Sequence, residues 1–469
     1  MDIDSIIEEY EEKRRQLIEH NSNLTGVVLR EKEQQADLYL TRLKNEFFAQ
    51  FKGGHIYDIP VLDNRAMCES KLYKFCSRLP KGAELHVHDM AALPMSELVD
   101  LLADSPRFCI NADRKSFDLR LDNADGTVPE GYLRFCEAFD SGYYTYDELL
   151  KNWTVLGAED AGVPVWEYFE GLFGKHSALS EDIDFVYRYY DHAFRLYCKN
   201  RVIHVEIHIM LTDSIDESRE YAQAIRAAYY NVKKDYPEFT VRLIGAGAKA
   251  DNDTIDYSRR CFLNASYVQE TVKDESDPEN ITNFLIGFDL VNEEDSSLPL
   301  KAFVPMLLKV KRQYPDMKLY IHGGESMDAT NENLIDAYLL GASRVGHGLN
   351  LYRYPDLHAR FVKAEICLEV CPVSNQRLGY THDVRTHPAT EYLRTGMAIA
   401  LCSDDPFYME NETLTDDFFA ALISWNLSLA DLKQLGINSI MYSGLDEKLR
   451  FSALHTYNRM WNEFINEIT

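Results

Sequence analysis

Side chains able to bind a transition metal or move a proton recur at separated places along this chain. His86 and His88 form an H-x-H pair, Glu325 follows His322 in HGGE, His347 stands between glycines in GHG, and Asp404 and Asp405 are adjacent. Alternate residues of a strand face the same side, so the imidazoles of His86 and His88 can point at one ion. Histidines with a carboxylate are a nitrogen–oxygen donor set that suits Zn²⁺, or less often iron, better than calcium or magnesium. A water held by such an ion is acidified toward a pKa of about 7 and becomes a nucleophile at neutral pH.

Taken singly, each feature has an ordinary explanation. An H-x-H pair can fill a barrel interior or lie on a surface. The glycines beside His347 can mean only a tight strand end, and Asp404-Asp405-Pro406 reads as a helix N-cap. Their conjunction at separate strand ends is what points to a metal site. His204, Glu206 and His208 also alternate along a strand and could ligate, but they sit mid-strand. They read as polar barrel filling or as support for the metal ligands.

Such side chains need a scaffold that gathers several strand ends. Short β-type runs alternate with helical stretches: AELHVH (83–88), VIHVEIHIM (202–210), TVRLIGAGA (240–248), NFLIGFDLV (283–291), KLYIHGGE (318–325), RVGHG (344–348), EICLEVC (365–371) and AIALCSDD (398–405). Eight β–α units predict an α/β fold, a TIM-type (β/α)8 barrel with its chemistry at the strand C-termini. A doubly wound open sheet would call for a Gly-rich phosphate loop after the first strand, and none is present.

Around the barrel (80–469) the sequence adds an N-terminal helical arm (1–79), a helical insertion at about 89–200, and terminal helices over 412–469. Residues 2–52 read as helical, ended by Gly53-Gly54. An arm of this kind cannot bury its apolar stripe alone. It packs on the body or on a second subunit, which makes it a candidate dimerisation element.

A formal net charge of -27 over 469 residues argues against nucleic-acid and anionic-membrane partners. No stretch is apolar enough to span a bilayer, and MDIDSIIEEYEEKRRQ has no signal-peptide core. The nine cysteines are scattered with no C-x-x-C pair, which predicts reduced thiols in a cytoplasmic enzyme.

PKGAELHVHD, HGGES, RVGHGLNL, CPVSNQ and SDDP follow one another between residue 80 and about 408. In this the chain resembles the adenosine deaminase family of the metal-dependent amidohydrolase superfamily. It is most similar to the adenosine deaminase-related growth factors, which share the long arm, an Asp directly after H-x-H, and a W-x-x-F-E-x-x-F stretch, here Trp166–Phe173. The resemblance implies one Zn²⁺ per subunit held by His86, His88, His322 and Asp404. It implies Glu325 as proton donor to purine N1, His347 as acceptor of the water proton, and Asp405 as partner of the hydroxide and of N7. Asp89, Trp166, Phe169, Glu170 and Phe173 would line the sugar side.

The implied reaction is deamination of adenosine or 2′-deoxyadenosine to the 6-oxo purine and ammonia. The rivals are an adenine nucleotide (AMP or dAMP) as substrate and, further off, a non-catalytic binding protein on the same barrel. Two departures bear on the pocket. Asn292 stands where the family usually has a glycine whose N–H lies near purine N3, and the third strand ends Gly247-Ala248-Lys249 where a histidine is frequent. Lys249 is either a cation for a phosphate or a solvated surface lysine.

Overall fold

Runs rich in Val, Ile and Leu form strands covered on both faces, as the wall of a parallel barrel requires. The computed structural model describes residues 3–50 and 68–469. Its barrel strands are β1 (Gly82–His88), β2 (Val202–Met210), β3 (Thr240–Ala248), β4 (Leu285–Val291), β5 (Lys318–Gly323), β6 (Arg344–His347), β7 (Cys367–Val370) and β8 (Ile399–Leu401). They lie side by side in chain order, every neighbouring pair parallel. The (β/α)8 expectation holds.

Closure falls at the site itself. Just past β8, Asp404 bridges to Val87: its N–H donates to the His86 carbonyl at 3.0 Å, and its own carbonyl accepts from the His88 N–H at 2.9 Å. The backbone therefore sets the last candidate ligand beside the first two. Below the mouth the interior is charged. Arg344 donates to Glu206 Oε2 at 2.6 Å and pairs with Glu369, while His204 Nε2 lies 2.9 Å from Glu206 Oε1. All four side chains are buried, so removing one partner would strand the rest without compensation.

The arm differs from a single helical run. Among the described residues it holds helices α1 (Ile3–Ser22) and α2 (Glu31–Ala49) and a short third helix over Lys71–Arg78, and the Gly53-Gly54 stop lies outside the described residues. The break is local turn chemistry. Asn23 Oδ1 accepts from the Gly26 N–H at 2.9 Å, Gly26 has φ +69°, and Thr25 donates to Asp431. The insertion is not wholly helical either. It contains an antiparallel sheet of Phe108–Asn111, Leu119–Leu121 and Tyr132–Arg134, followed by helix α3 (Val165–His176) over the barrel mouth.

Two terminal helices, α4 (Leu429–Met441) and α5 (Glu447–Ile468), receive the arm. Ala36, Leu40, Leu43 and Phe47 of α2 are buried at helical spacing. At the same face, buried Glu33 accepts from Lys433 Nζ at 2.6 Å and from Trp461 Nε1 at 2.8 Å. So α2 packs on its own body, whereas α1 keeps Tyr10 at 61% and Leu17 at 65% exposure. Among the described residues no helix is long and apolar enough to cross a membrane.

Candidate active site

The strand ends surround a cavity of about 320 Å³ at the C-terminal mouth, within the usual size for a small-ligand pocket. His88, His322, Glu325, His347, Asp404 and Asp405 all line it, and His86 lies directly beneath. His88 Nε2 is 3.2 Å from His322 Nε2 and 3.2 Å from Asp404 Oδ1, and His86 Nε2 is 3.6 Å from the same Asp404 oxygen. A tetrahedral ion with ligand bonds of about 2.0–2.1 Å has edges of about 3.3–3.4 Å, so these spacings fit one centre. The four donor atoms that all lie within 4.8 Å of one another are those of His86, His322, His347 and Asp404, while His88 groups with Asp404 and Asp405.

The remaining ring nitrogens explain the orientation. His86 Nδ1 is 2.7 Å from Glu369 Oε2, and His322 Nδ1 is 2.6 Å from Asp289 Oδ2. Each carboxylate takes an N–H and turns the Nε2 lone pair toward the centre, the usual support of a metal-bound imidazole. Among the described residues His86 Nε2 is buried with no hydrogen-bond partner, and the Nε2 atoms of His88 and His322, 3.2 Å apart, would repel if each presented its lone pair. A cation between them removes both problems, so the residues present fit a zinc-type ion.

Acid–base groups flank this centre. Burial, with the negative charges of Asp404 and Glu294, pushes the Glu325 carboxyl well above its ordinary range. Burial also lowers His347 to about 4, although Asp404 opposes it. Asp405 is pushed up to about 7 by burial and by Asp404. Burial thus favours the protonated carboxyl of Glu325 and the neutral imidazole of His347, both facing one cavity, the division of labour that general acid–base chemistry needs. Asn375 links them, its amide nitrogen 3.3 Å from Glu325 Oε1 and 3.2 Å from His347 Nδ1. His347 and Asp404 both hold φ +62°, a left-handed conformation costing about 1–3 kcal/mol for a non-glycine residue and typical of over-determined sites.

The outer wall is aromatic. Trp166, Phe169 and Phe173 line it from α3 and meet Tyr408, with ring centroids 4.8–5.4 Å apart from Trp166 to Phe169, Phe169 to Phe173, and both phenylalanines to Tyr408. Glu170 is exposed and outside the lining, because one helical step carries it about 100° off the face shared by residues 166, 169 and 173. Asp89 lines the cavity, its Oδ1 accepting from Tyr190 at 2.5 Å and Tyr221 at 2.6 Å. Asn292 lines it too, at φ +128°, a conformation that favours glycine.

Lys249 is neither solvated nor in the pocket. It is buried behind the wall with Nζ 3.8 Å from Glu294 Oε1. His208, read from sequence as mid-strand support, reaches the cavity wall, with Nδ1 held 2.9 Å from Asp289. Asp289 and Glu369 went unassigned in the sequence, although a lone acid inside an apolar strand run was the signal for both.

A model of the adenosine deaminase family matches residues 182–456, more than half of the chain. This chain belongs to the adenosine deaminase family. Membership makes it a hydrolytic deaminase of a metal-dependent family. The deaminase is 28% identical to adenosine deaminase 2 of Dictyostelium discoideum over 506 residues, covering 100% of this chain and 89% of that one. It is 29% identical to an adenosine deaminase of Phlebotomus duboscqi, covering 95% and 89%. Among solved structures, Arabidopsis ADAL in complex with IMP superposes with a TM-score of 0.60 at 15% identity, over 83% of this chain and 99% of that one. A Zn-bound amidohydrolase from Burkhoderia ambifaria gives 0.57 at 18%, over 87% and 96%. At these identities the structures speak for the shared fold.

Proposed function

We propose that this deaminase converts adenosine or 2′-deoxyadenosine to the corresponding inosine and ammonia, using one zinc ion per subunit held by His86, His88, His322 and Asp404. The charge of the cavity wall carries the nucleoside reading. Asp89 stands beside His88 on it, and among the described residues no lysine or arginine lines it. A 5′-phosphate would meet the Asp89 carboxylate without a counter-cation, whereas a sugar hydroxyl can donate to it. Trp166 Nε1, which has no partner among the described residues, leaves an N–H for a ligand oxygen.

The nucleotide alternative draws on the Arabidopsis structures solved with IMP and with GMP, which share the fold at 15–16% identity. Lys249, the one cation the sequence offered to a phosphate, is turned to Glu294 instead.

Zinc, when bound, supplies the Lewis acidity that makes a water nucleophilic at neutral pH. Glu325 gives its proton to purine N1, which withdraws electron density from C6. His347 accepts a proton from the attacking water, and Asp405 hydrogen-bonds N7 to hold the ring. The hydroxyl oxygen adds at C6, His347 passes its proton to the amino group, which leaves as ammonia, and the hydroxyl proton returns to Glu325, leaving the 6-oxo ring.

A panel of adenosine, 2′-deoxyadenosine, AMP and dAMP, followed by the loss of adenine absorbance, tests the substrate. The kcat/KM for the nucleosides is expected to exceed that for the monophosphates by about 100-fold or more, the penalty of unpaired like charges. Faster turnover of a monophosphate would reverse the assignment.

We further propose that α1 joins two copies of the chain. Among the described residues, Ile3, Ile6, Ile7 and Tyr10 form an exposed apolar stripe at helical spacing. Light scattering on the eluting protein is expected to give the dimer mass, and Ile7→Glu with Tyr10→Glu the monomer mass at unchanged kcat/KM. A wild-type monomer at micromolar concentration would end this part of the proposal. A cytoplasmic setting completes the reading, supported by nine free cysteines.

A further inference from the structure

Glu294 lies in the loop after β4, buried, and outside the cavity lining. Its Oε1 accepts from the Gly324 N–H at 3.1 Å and from Asn333 Nδ2 at 2.8 Å. Its Oε2 accepts from the Ser326 N–H at 3.0 Å and from Asn331 Nδ2 at 3.1 Å. One carboxylate therefore holds the peptide N–H groups of both neighbours of Glu325. The carbonyls of the same two residues are held from the other side: Gly324 O accepts from the Asn350 N–H at 2.8 Å, and Ser326 O from Asn350 Nδ2 at 2.8 Å.

This grip has a reason in the local chain. β5 stops at Gly323 and the next helix begins at Asn333, so Glu325 has no regular element to fix its direction. Gly324 sits at φ +73°, where an added Cβ would come within 2.6 Å of Leu334 and 2.7 Å of Asn350. The turn is thus closely packed as well as bonded. Lys249 stands 3.8 Å from Glu294 Oε1 as its counter-charge, buried and, among the described residues, with no hydrogen-bond partner of its own. Hydrogen bonds to an ionised carboxylate are about twice as strong as neutral ones, and a proton donor must be held within about 0.5 Å of its productive position.

We propose that Glu294 is a positioning residue: with Lys249 as counter-ion, it clamps the peptides on both sides of Glu325 and so aims the proton donor at the purine ring. The proposal rests on Glu325 being the acid. Its effect belongs to the chemical step, because Glu294 touches neither the substrate cavity nor the metal ligands.

The test is steady-state kinetics of zinc-loaded Glu294→Gln on adenosine. Glutamine keeps the shape but turns an N–H₂ toward one of the two peptide donors. The kcat is expected to fall about 100-fold with KM within about threefold and one zinc per chain retained. In a Glu325→Gln background the same change is expected to cost less than about threefold, because the aimed group is already gone. A Glu294→Gln kcat within about threefold of wild type, or losses that multiply in the double variant, would overturn the proposal.

Should Glu294→Gln not fold, Lys249→Met takes its place. A fall in kcat of about tenfold at unchanged KM supports the clamp, and an unchanged kcat refutes it. Wild type that turns over no adenine compound sinks the reading of the site itself. Turnover by wild type with Glu294→Gln unaffected sinks this inference alone.

Discussion

Glu325→Gln is expected to lower kcat by about 10³–10⁴-fold while the protein still binds one zinc per chain, because the substitution deletes the acid and little else. Glutamine fills the same buried volume and can still meet Asn375 through its amide oxygen. What it lacks is a transferable proton. Burial, reinforced by Asp404 and Glu294, pushes the wild-type carboxyl well above its ordinary range and so favours the protonated acid that the step needs. Without protonation at N1 the ring must accept an attacking oxygen while neutral, and the barrier rises accordingly. The measurement is adenosine turnover with metal analysis on the same preparation. Activity within tenfold of wild type would remove Glu325 from the proton-donor role and pass it to Asp405, the other raised carboxyl in the cavity.

That the site could be read at all follows from how a parallel barrel is built. Each strand delivers its chemistry at one end, so H-x-H, HGGE, GHG and SDD announce themselves as polar residues closing apolar runs. The register that unites them is not local. Asp404 meets His86 and His88 only because the ring closes through its own backbone, a contact across the whole barrel. The turn at 23–30 was written in Asn23, Thr25 and Gly26, but periodicity on both sides masked it. Glu170 fell outside the pocket because a motif gives membership and a helix gives direction. Lys249 shows the same limit for charge: whether a lysine is solvated or buried against Glu294 depends on which loop covers it, and that loop comes from the next strand. The short strands of the insertion, three or four residues each, carry too little alternation to stand out from turns.

Removal of His88 is expected to abolish activity by a different route, through the ion. In His88→Ala the cavity loses the nitrogen that lies 3.2 Å from both His322 Nε2 and Asp404 Oδ1, the hinge of the proposed tetrahedron. His86 is fixed from below by Glu369 and His322 by Asp289, so neither can swing across to replace it. Asp404 is held at φ +62° by the bridge that closes the barrel, and it too cannot follow. Because metal binding free energy is shared with folding, the variant should also melt at a lower temperature than zinc-loaded wild type and gain little from added zinc. The discriminating pair of readouts is zinc stoichiometry after dialysis and adenosine turnover. Both should fall together, and more steeply than in His347→Ala, where the ion is retained and only the proton acceptor is lost. A His88→Ala protein that keeps one tightly held zinc would take His88 out of the ligand set and put His347, whose ring already lies within the same cluster of donors, in its place.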